Sequence, residues 1–285
     1  FPADPVMIAA MLDPLGLAIG PVVPCREWRE LYSALDCNSA AAIHPFYVSS
    51  IREFGAAGRS IISSAPVGIE GTNNWLSCVG DNYNVSKEKI SEAKNKFLPI
   101  MKKSFDNSKV NGTITLSGYE GSELLVARLL IECGANIPYV GTACPETKWS
   151  RYDKEWLESK GTKVKFRASL EDDCCAMESI KPDLAVGTTP VVQKGKELGI
   201  PSLYFTNLIS ARPLMGPAGA GSLSQVVNAA IGNKSRMKNM KYFFEGVGNG
   251  DTSGIWEGKP NINENFRAHQ EKKLEKRARA KKAAE

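Results

Sequence analysis

The second half of the sequence alternates short β-branched runs with amphipathic segments, and this alternation constrains the fold more than any other feature. Between residues 112 and 205, five runs with strand character are separated by segments whose apolar residues recur at helical spacing. The predicted strands are Gly112–Gly118, Ile137–Gly141, Lys163–Phe166, Asp183–Gly187 and Ser202–Phe205. Strands at this spacing are typical of βαβ units, with a parallel sheet and helices on both faces. The sequence therefore predicts an α/β fold.

The helices predicted for this half lie between the strands and after the last of them. Their apolar residues recur every three to four positions, as one buried helix face requires. The predicted helices are Ser122–Cys133, Tyr152–Lys160, Ser169–Ile180, Pro190–Leu198 and Ser222–Ile231.

The first half repeats the alternation more loosely. Its elements, in order, are a helix near Pro5–Leu12, the run Gly20–Val23, the segment Glu27–Leu35, the run Ala40–Ile43, the helix Tyr47–Phe54, the strand Ser60–Ser64 and the helix Trp75–Val79. A long helix over Ser86–Phe105 follows, with Ser86 as its N-cap and an interruption near Pro99. The polar segment Asp106–Asn111 reads as a linker. We therefore expect an α/β domain with a long connecting helix over 1–108 and a Rossmann-like domain over 109–250.

The net charge of +5 belongs to the end of the chain and not to its body. Residues 266–285 contain eight Lys or Arg and three Asp or Glu, so the remaining residues sum to zero. We assign 251–285 as a basic C-terminal tail. A charge run of this kind is usually solvated, so no nucleic-acid partner is predicted. No apolar stretch approaches the roughly 20 residues that span a bilayer, and no secretion signal opens the chain. We expect a cytoplasmic protein.

The seven cysteines do not suggest a metal site or a disulfide framework. Their number is odd, and they form neither a CxxC motif nor a cluster with the two histidines. Most are expected to be small buried side chains in a reducing compartment. The chain also opens at Phe1 and not at Met, and we expect it to be a piece of a longer protein.

Ligands of open parallel sheets bind beyond the carboxyl ends of the strands, which here gives six candidate segments. They are His44–Pro45, Ala65–Gly68, Gly118–Gly121, Thr142–Pro145, Thr188–Pro190 and Thr206–Arg212. His44 could donate a proton or could be a histidine satisfied by backbone groups. Arg212 could anchor a carboxylate or pair with a neighbouring acid. Glu120 could be an acid–base group or could complement a helix dipole, and Cys144 could be a ligand or a reactive thiol.

A glycine-rich segment, Pro213–Ser222, precedes the last predicted helix and could form a loop that cradles an anion. Equally, its glycines could serve only close packing. Gly216 and Gly221 have the spacing of the two glycines of a P-loop, but the lysine of that motif is absent. The segment also follows the last strand of its domain, whereas a dinucleotide-binding fingerprint lies in the first βαβ unit. ATP binding by this chain is disfavoured. The candidate ligand-binding residues at this end of the domain are Ser210, Arg212, Met215, Gly216, Gly219 and Gly221.

The same region carries a family resemblance. The segments Leu203–Asn207, Ile209–Ile231 and Phe243–Gly250 resemble the Y-subunit family of chlorophyllide a reductase, a nitrogenase-like enzyme of bacteriochlorophyll synthesis. The likeness extends to Gly20–Leu35, Ile43–Gly55 and Pro182–Leu198. It implies two Rossmann-like parallel-sheet domains of the nitrogenase component 1 type.

The resemblance also implies a function and a set of partners. The chain would pair with a Z subunit in a heterotetramer that holds a 4Fe–4S cluster. A separate ATP-hydrolysing iron–sulfur reductase, the X subunit, would supply electrons, and chlorophyllide a would be reduced at the C7=C8 bond of ring B. The resemblance implies that the family's cluster cysteines lie in an N-terminal part, which we expect to fall outside this sequence. No cysteine here matches a ligand position, so the resemblance assigns no metal ligand and implies that the segment alone is inactive.

Within this resemblance, His44 is the candidate proton donor and Arg212 the candidate anchor for a substrate carboxylate. Apolar walls for a flat macrocycle would come from Met215, Leu214, Leu208 and Phe46. Two other functions stay open. One is a nitrogenase-like scaffold that binds a tetrapyrrole or metal cofactor without turnover, and the other is a Rossmann-type transferase that uses a nucleotide-activated substrate.

Overall fold

A computed structural model describes residues 4–45, 47–210 and 212–244, together with positions 275 and 279. The strands in these residues are β1 (Ser39–Ala42), β2 (Ser60–Ser63), β3 (Thr113–Gly118), β4 (Asn136–Thr142), β5 (Lys163–Phe166), β6 (Leu184–Gly187) and β7 (Ser202–Tyr204). The helices are α1 (Asp4–Leu12), α2 (Trp28–Ala34), α3 (Val48–Ala56), α4 (Gly68–Asn82), α5 (Lys87–Asn107), α6 (Glu123–Glu132), α7 (Arg151–Ser159), α8 (Leu170–Ile180), α9 (Thr189–Leu198), α10 (Phe205–Ser210), α11 (Gly216–Gly232) and α12 (Lys234–Phe244). A short 3-10 turn, Asp13–Leu15, follows α1. Of the predicted tail, only Glu275 and Arg279 belong to the described residues.

The second half forms a five-stranded parallel sheet with the order β5-β4-β3-β6-β7. All five predicted strands are confirmed, with ends within one residue of the prediction. The central strand is buried on both faces, since Ile114 and Leu116 have no exposed surface and Thr115 is 4% exposed. A strand covered on both sides is a run of mainly apolar residues, and this explains why the sequence signal was clear.

The first half contributes a smaller parallel sheet in which Ser39–Ala42 pairs with Ser60–Ser63. The run Gly20–Val23, which occupies a strand's place in the looser alternation, forms no strand. Pro21 and Pro24 flank Val22 and Val23, and proline has no N–H to donate to a β-ladder. The alternation of strands and helices is weaker in the first half because fewer of its apolar runs pair as β-strands.

The long helix α5 begins as predicted but is not interrupted. Ser86 caps it, because the Ser86 hydroxyl accepts a hydrogen bond from the Lys89 amide at 3.4 Å. The helix continues through Pro99, which the sequence had suggested as a break. A proline inside a helix costs about 3 kcal/mol. This cost is offset by one buried apolar face, on which each large side chain contributes about 1.5–3 kcal/mol. That face consists of Ile90, Ala93, Phe97, Met101 and Phe105.

The two halves share one hydrophobic core. Trp75 and Leu76 from α4 are buried in the same cluster as Leu125 and Leu129 from α6. A polar contact reinforces this packing: the carboxylate of Glu132, at the end of α6, accepts hydrogen bonds from the Ile69 and Glu70 amides at 2.5 and 3.4 Å. We propose a boundary between folding units near residue 109, between α5 and β3. None of the described helices is long and apolar enough to cross a bilayer.

A buried carboxyl group lies between α8 and the large sheet. The Asp173 side chain accepts a hydrogen bond from the Tyr139 hydroxyl at 2.8 Å, and Gly141 leaves room for it, because a Cβ there would lie 2.1 Å from Asp173 Oδ1. Burial raises the pKa of Asp173 from 3.8 to about 6. The folded chain therefore binds this proton more tightly than the unfolded chain.

This carboxyl group predicts a pH dependence of stability. Because the pKa of Asp173 is higher in the folded state, stability should fall as the pH rises from about 4 to about 6 and should stay level above that. The shift corresponds to about 3 kcal/mol. Asp173→Asn keeps an acceptor for Tyr139 and removes the charge, so its unfolding free energy should exceed that of the parent at pH 7.5 by about 1–3 kcal/mol. Urea denaturation of both chains at pH 4 and 7.5 measures the difference, and equal differences at the two pH values would contradict the assignment.

Candidate functional site

The carboxyl ends of the two sheets lie against each other. Pro45, which follows β1, lines a small cavity together with Gly121, Thr142 and Cys144 from the large sheet. Pro66, which follows β2, accepts a hydrogen bond at 2.9 Å from the amide of Gly216. The loops that follow β1, β3 and β4 line this cavity, and the loop that follows β2 contacts the start of α11. We call the region that holds these contacts, at the carboxyl ends of both sheets, the crevice.

The cavity in the crevice is small in the described residues. Its volume is about 10 Å³, which is close to the space of one water molecule. A tetrapyrrole needs a cavity of at least several hundred cubic ångströms. Any such ligand would need further walls beyond these lining residues.

The glycine-rich segment is the first part of a helix and not a loop, which corrects the sequence prediction. α11 begins at Gly216, six residues before the predicted start at Ser222. Asp4 stabilises the turn before it, because the carboxylate accepts hydrogen bonds from the Leu214 and Met215 amides at 2.9 and 3.0 Å. Burial raises the pKa of Asp4. These contacts join positions about 210 residues apart, so no local pattern could have predicted them.

Two of the candidate glycines have a packing role. A Cβ on Gly219 would lie 2.2 Å from the Leu214 carbonyl oxygen, and a Cβ on Gly221 would lie 2.5 Å from the Ser104 hydroxyl. Gly216 has a φ of 59°, a conformation that favours glycine, and its Cβ position is 3.0 Å from the Met11 sulfur. The close approach of α11 to its neighbours therefore requires these glycines.

The loop after β3 carries its own anion. The buried carboxylate of Glu123 accepts hydrogen bonds from the amides of Glu120 and Gly121 at 2.8 and 2.7 Å and from the Thr142 hydroxyl at 2.9 Å. Burial raises the pKa of Glu123, and these hydrogen bonds oppose that rise. In nucleotide-binding Rossmann domains, backbone amides at this position bind a phosphate. A phosphate here would have to displace the Glu123 carboxylate.

Glu120 and Cys144 lie beside this loop. Glu120 Oε2 accepts a hydrogen bond from Ser122 at 3.2 Å. The Cys144 thiol contacts the Tyr119 carbonyl oxygen at 3.6 Å, and burial raises its pKa. A raised pKa keeps Cys144 in the thiol form at neutral pH, so the structure gives no support to a reactive thiolate.

His44 lies where the sequence placed it, at the end of β1 and next to the Pro45 that lines the cavity. Its ring stands edge-on to the Tyr47 ring, with 5.4 Å between the ring centres. Burial lowers the pKa of His44 to about 4. The imidazole is therefore neutral at pH 7, and any proton it donates comes from a neutral ring.

The candidates around Arg212 divide into crevice and core residues. Arg212 is half-buried and directly precedes the turn that Asp4 holds. The Ser210 hydroxyl donates to the Thr206 carbonyl oxygen of its own helix at 2.7 Å. Met215 is 1% exposed and belongs to the hydrophobic core, as do Leu214 and Leu208, so these side chains are core residues and not open apolar walls. Phe46 lies outside the described residues.

Sequence reasoning missed a group of hydroxyls at this edge. Tyr119 follows β3, whereas Tyr204 ends β7 and Thr206 begins α10, about 85 residues later in sequence, yet the Tyr119 hydroxyl lies within 3.4 Å of both other hydroxyls. Tyr119 lies within the candidate segment Gly118–Gly121, but nothing in the sequence pairs it with Tyr204. Only the adjacency of strands could have revealed the group.

The crevice and the two parallel sheets can now be compared with known proteins. The family profile of nitrogenase component 1 type oxidoreductases matches residues 1–231. The chain belongs to this family. Its α/β fold with two parallel sheets is the fold that the resemblance implied.

Two curated relatives are similar over the whole of this nitrogenase component 1 type chain. It is 68% identical to the chlorophyllide reductase 52.5 kDa chain of Cereibacter sphaeroides and 64% identical to the protein of the same name from Rhodobacter capsulatus. The chain spans 57% of the length of each. A more distant relative is the light-independent protochlorophyllide reductase subunit N of Cyanophora paradoxa, 18% identical over 80% of this chain and 51% of that protein.

Solved structures agree on the fold. The structure titled "Nitrogenase Cp1 at pH 6.5" matches 82% of this chain and 58% of the other chain, with a TM-score of 0.60 and 17% identity. A second structure of the same protein, at pH 5, gives a TM-score of 0.61 at 15% identity. Similarity at this level of identity concerns the architecture of the chain.

Proteins of the nitrogenase component 1 family generally bind iron–sulfur clusters, and the described residues can be tested for ligands. Among them, no group of three or more His, Cys, Asp or Glu side chains could hold a metal ion. The seven cysteines are all free. The described residues do not bring together the cysteine ligands that a four-iron cluster needs.

Proposed function

We propose that this chain is part of the Y subunit of a chlorophyllide a reductase, a nitrogenase-like enzyme that reduces the C7=C8 bond of ring B in bacteriochlorophyll biosynthesis. The observation that carries the proposal is the 68% and 64% identity, over the whole chain, to two chlorophyllide reductase chains. The fold and the crevice at the carboxyl ends of both sheets are consistent with this function.

In this proposal the chain contributes substrate contacts and other subunits contribute electrons. A Z subunit would complete a heterotetramer with a 4Fe–4S cluster whose ligands come from outside the described residues. An ATP-hydrolysing iron–sulfur reductase, the X subunit, would deliver the electrons, and its need for ATP places the reaction in the cytoplasm. The Glu123 carboxylate in the phosphate position of the Rossmann-like sheet supports a division in which nucleotide binds to the partner.

The crevice residues of this chain would orient chlorophyllide a. Arg212 precedes the turn at Leu214–Gly216 and could hold the substrate carboxylate through charge-assisted hydrogen bonds. His44 lies beside the cavity-lining Pro45, and its neutral ring could donate an N–H hydrogen bond to charge that develops on the substrate. Glu120 lies on the loop whose backbone amides bind the Glu123 carboxylate. Its own carboxylate adds a polar group to this loop.

The experiment is reconstitution of the complete enzyme. We expect the full-length polypeptide that contains this chain, produced with the Z subunit and combined with the reductase and ATP, to convert chlorophyllide a into a red-shifted bacteriochlorin. Absorption spectroscopy follows the product. An assembled complex that binds chlorophyllide a without reducing it would contradict the proposal and favour a scaffold.

Variants at two crevice positions test the site. Arg212→Ala should raise the KM for chlorophyllide a about 10- to 150-fold, because a charged hydrogen bond is worth about 1.5–3 kcal/mol. His44→Ala should lower kcat about 100-fold if the neutral ring stabilises developing charge through its N–H hydrogen bond. Steady-state kinetics of the complete complex measures both values. Arg52→Ala, at an exposed position on α3, is the matched control, and unchanged KM and kcat in both test variants would exclude this site.

A further inference from the structure

A group of hydroxyls lies where the strand order of the large sheet reverses direction. In the order β5-β4-β3-β6-β7, the chain runs outward from β3 to one edge and from β6 to the other. Ligands of such sheets bind beyond the carboxyl ends of strands at this switch point. Tyr119 follows β3 directly, and Tyr204 and Thr206 lie at the end of β7 and just after it, on the other side of β6.

These side chains form what we call the hydroxyl cluster: Tyr119, Tyr204 and Thr206. The Tyr119 hydroxyl is 3.4 Å from the Tyr204 hydroxyl and 3.2 Å from the Thr206 hydroxyl. Tyr119 is 51% exposed, which is high for a large aromatic side chain in the fold. The cluster is therefore open to a ligand that enters the crevice.

The backbone that carries Tyr119 is held on several sides. The Gly118 carbonyl oxygen accepts a hydrogen bond from the Ala143 amide at 2.9 Å, and the Tyr119 carbonyl oxygen accepts one from the Cys144 thiol. The Glu123 carboxylate binds the two amides that follow, as described above. An exposed side chain on a fixed loop loses little entropy when it binds, as a preorganised ligand contact requires.

The cluster presents a hydrogen-bond donor. Hydrogen bonds with the Tyr119, Thr206 and Thr189 hydroxyls lower the pKa of the Tyr204 phenol. The two contacts that the Tyr119 hydroxyl makes use two of the three hydroxyl protons of the cluster, so one proton is available for a group outside it. The matching ligand atom is an oxygen that accepts hydrogen bonds.

The charge nearby favours a neutral acceptor over an anionic one. Glu120 is adjacent to Tyr119, and its carboxylate would repel a ligand carboxylate at this position. The guanidinium of Arg212 is the better partner for the propionate of a chlorophyllide. Chlorophyllide a also carries a neutral ketone on its fifth ring, which only accepts hydrogen bonds.

We propose that the hydroxyl cluster donates a hydrogen bond to the ring ketone of the substrate and so fixes the orientation of the macrocycle in the crevice. Tyr119 and Tyr204 are then positioning residues that determine which edge of the macrocycle faces this sheet. This inference rests on the proposed function and adds to it a substrate atom and a recognition site.

The test measures the affinity for chlorophyllide a and the frequency of its ketone vibration. It uses the complete complex without ATP, so that no reduction takes place. Resonance Raman spectra of bound chlorophyllide a should show the ketone C=O stretch at lower frequency than in a non-hydrogen-bonding solvent. Tyr119→Phe and Tyr204→Phe should each return the band toward the free position and raise the dissociation constant about fivefold. The 13¹-deoxo analogue, which lacks the ketone oxygen, should bind the parent complex and both variants equally.

Tyr32→Phe, at an exposed position on α2, is the matched control and should change neither the band nor the affinity. Thermal unfolding of each variant complex establishes that it is folded. If the parent complex binds and reduces chlorophyllide a while both test variants leave the ketone band unchanged, the inference is wrong and the proposed function stands. If the parent complex does not bind chlorophyllide a, both are wrong.

Discussion

Replacing Asp153 with alanine should lower the free energy of unfolding by about 3–5 kcal/mol, because it leaves a buried guanidinium without its hydrogen-bonded carboxylate. Asp153 Oδ1 lies 2.5 Å from Arg128 Nη1, and the Arg128 side chain has no exposed surface. Within the described residues the Nε and Nη2 atoms of Arg128 make no hydrogen bond, so Asp153 is its hydrogen-bonded carboxylate, while Glu132 interacts with Arg128 through charge alone. Urea denaturation at pH 7.5 measures the loss.

Arginine makes this effect large because its guanidinium keeps its proton in proteins. Burial raises the pKa of Asp153, and Arg128 opposes this rise. If Arg128 were removed, Asp153 could become neutral by binding a proton. If Asp153 is removed, Arg128 has no such route to a neutral form. The guanidinium also stacks near the Tyr152 and Trp156 rings, at 5.0 and 4.9 Å from their centres. The Trp156 indole N–H donates a hydrogen bond to Glu70 at 2.9 Å. By holding Trp156 in place, the Arg128–Asp153 pair supports this contact between α7 and α4.

Two controls distinguish the cost of an unpaired buried charge from a general loss of stability. The double variant Arg128→Met with Asp153→Ala removes both charges and should recover a large part of the loss, because apolar replacements of buried pairs are often neutral. Glu146→Ala breaks the surface pair with Lys154, which is 3.1 Å long and partly exposed, and should cost at most about 1 kcal/mol. A double variant no more stable than Asp153→Ala would contradict the argument.

Gly219→Ala should destabilise the chain by about 3 kcal/mol or more and should abolish the geometry at the start of α11. The added Cβ would lie 2.2 Å from the oxygen and 2.3 Å from the carbon of the Leu214 carbonyl group. Backbone atoms cannot rotate away as a flexible side chain can, so either the turn or the helix has to shift. Urea denaturation measures the stability, and chlorophyllide affinity in the complete complex reports on the turn beside Arg212.

The same helix offers the matched control. Gly232, at the other end of α11, is exposed and has nothing within 4 Å of its Cβ position. Gly232→Ala should therefore leave stability unchanged or raise it by up to about 1 kcal/mol, since alanine favours a helix over glycine. Equal effects of the two substitutions would show that propensity, and not the contact with Leu214, decides the outcome.

Several elements were predictable because their signals are local. The strands of the large sheet are apolar runs bounded by turns, and α6 is a helix of buried residues that ends before Gly134. The Ser86 cap is equally local, since donor and acceptor are three residues apart. The family followed from motifs that occupy nearly the whole chain.

Other features depend on contacts between distant parts of the chain. Glycine disfavours a helix, so the segment from Gly216 predicted a loop. In the structure Asp4 and Pro66 bind the amides that begin this helix, and Pro99 is tolerated in α5 because a buried face outweighs one lost hydrogen bond. In both cases packing overrides local preference.

The sequence by itself determined the alternation of strands and helices, the parallel sheet and the family, because periodicity and turn residues act over a few positions. Only the tertiary structure decided which side chains share the crevice. Tyr119 and Tyr204 become neighbours because β3 and β7 both flank β6, and Glu123 occupies the phosphate position because its loop folds back on it. Such contacts depend on strand order and burial, and neither is encoded in a local pattern of residues.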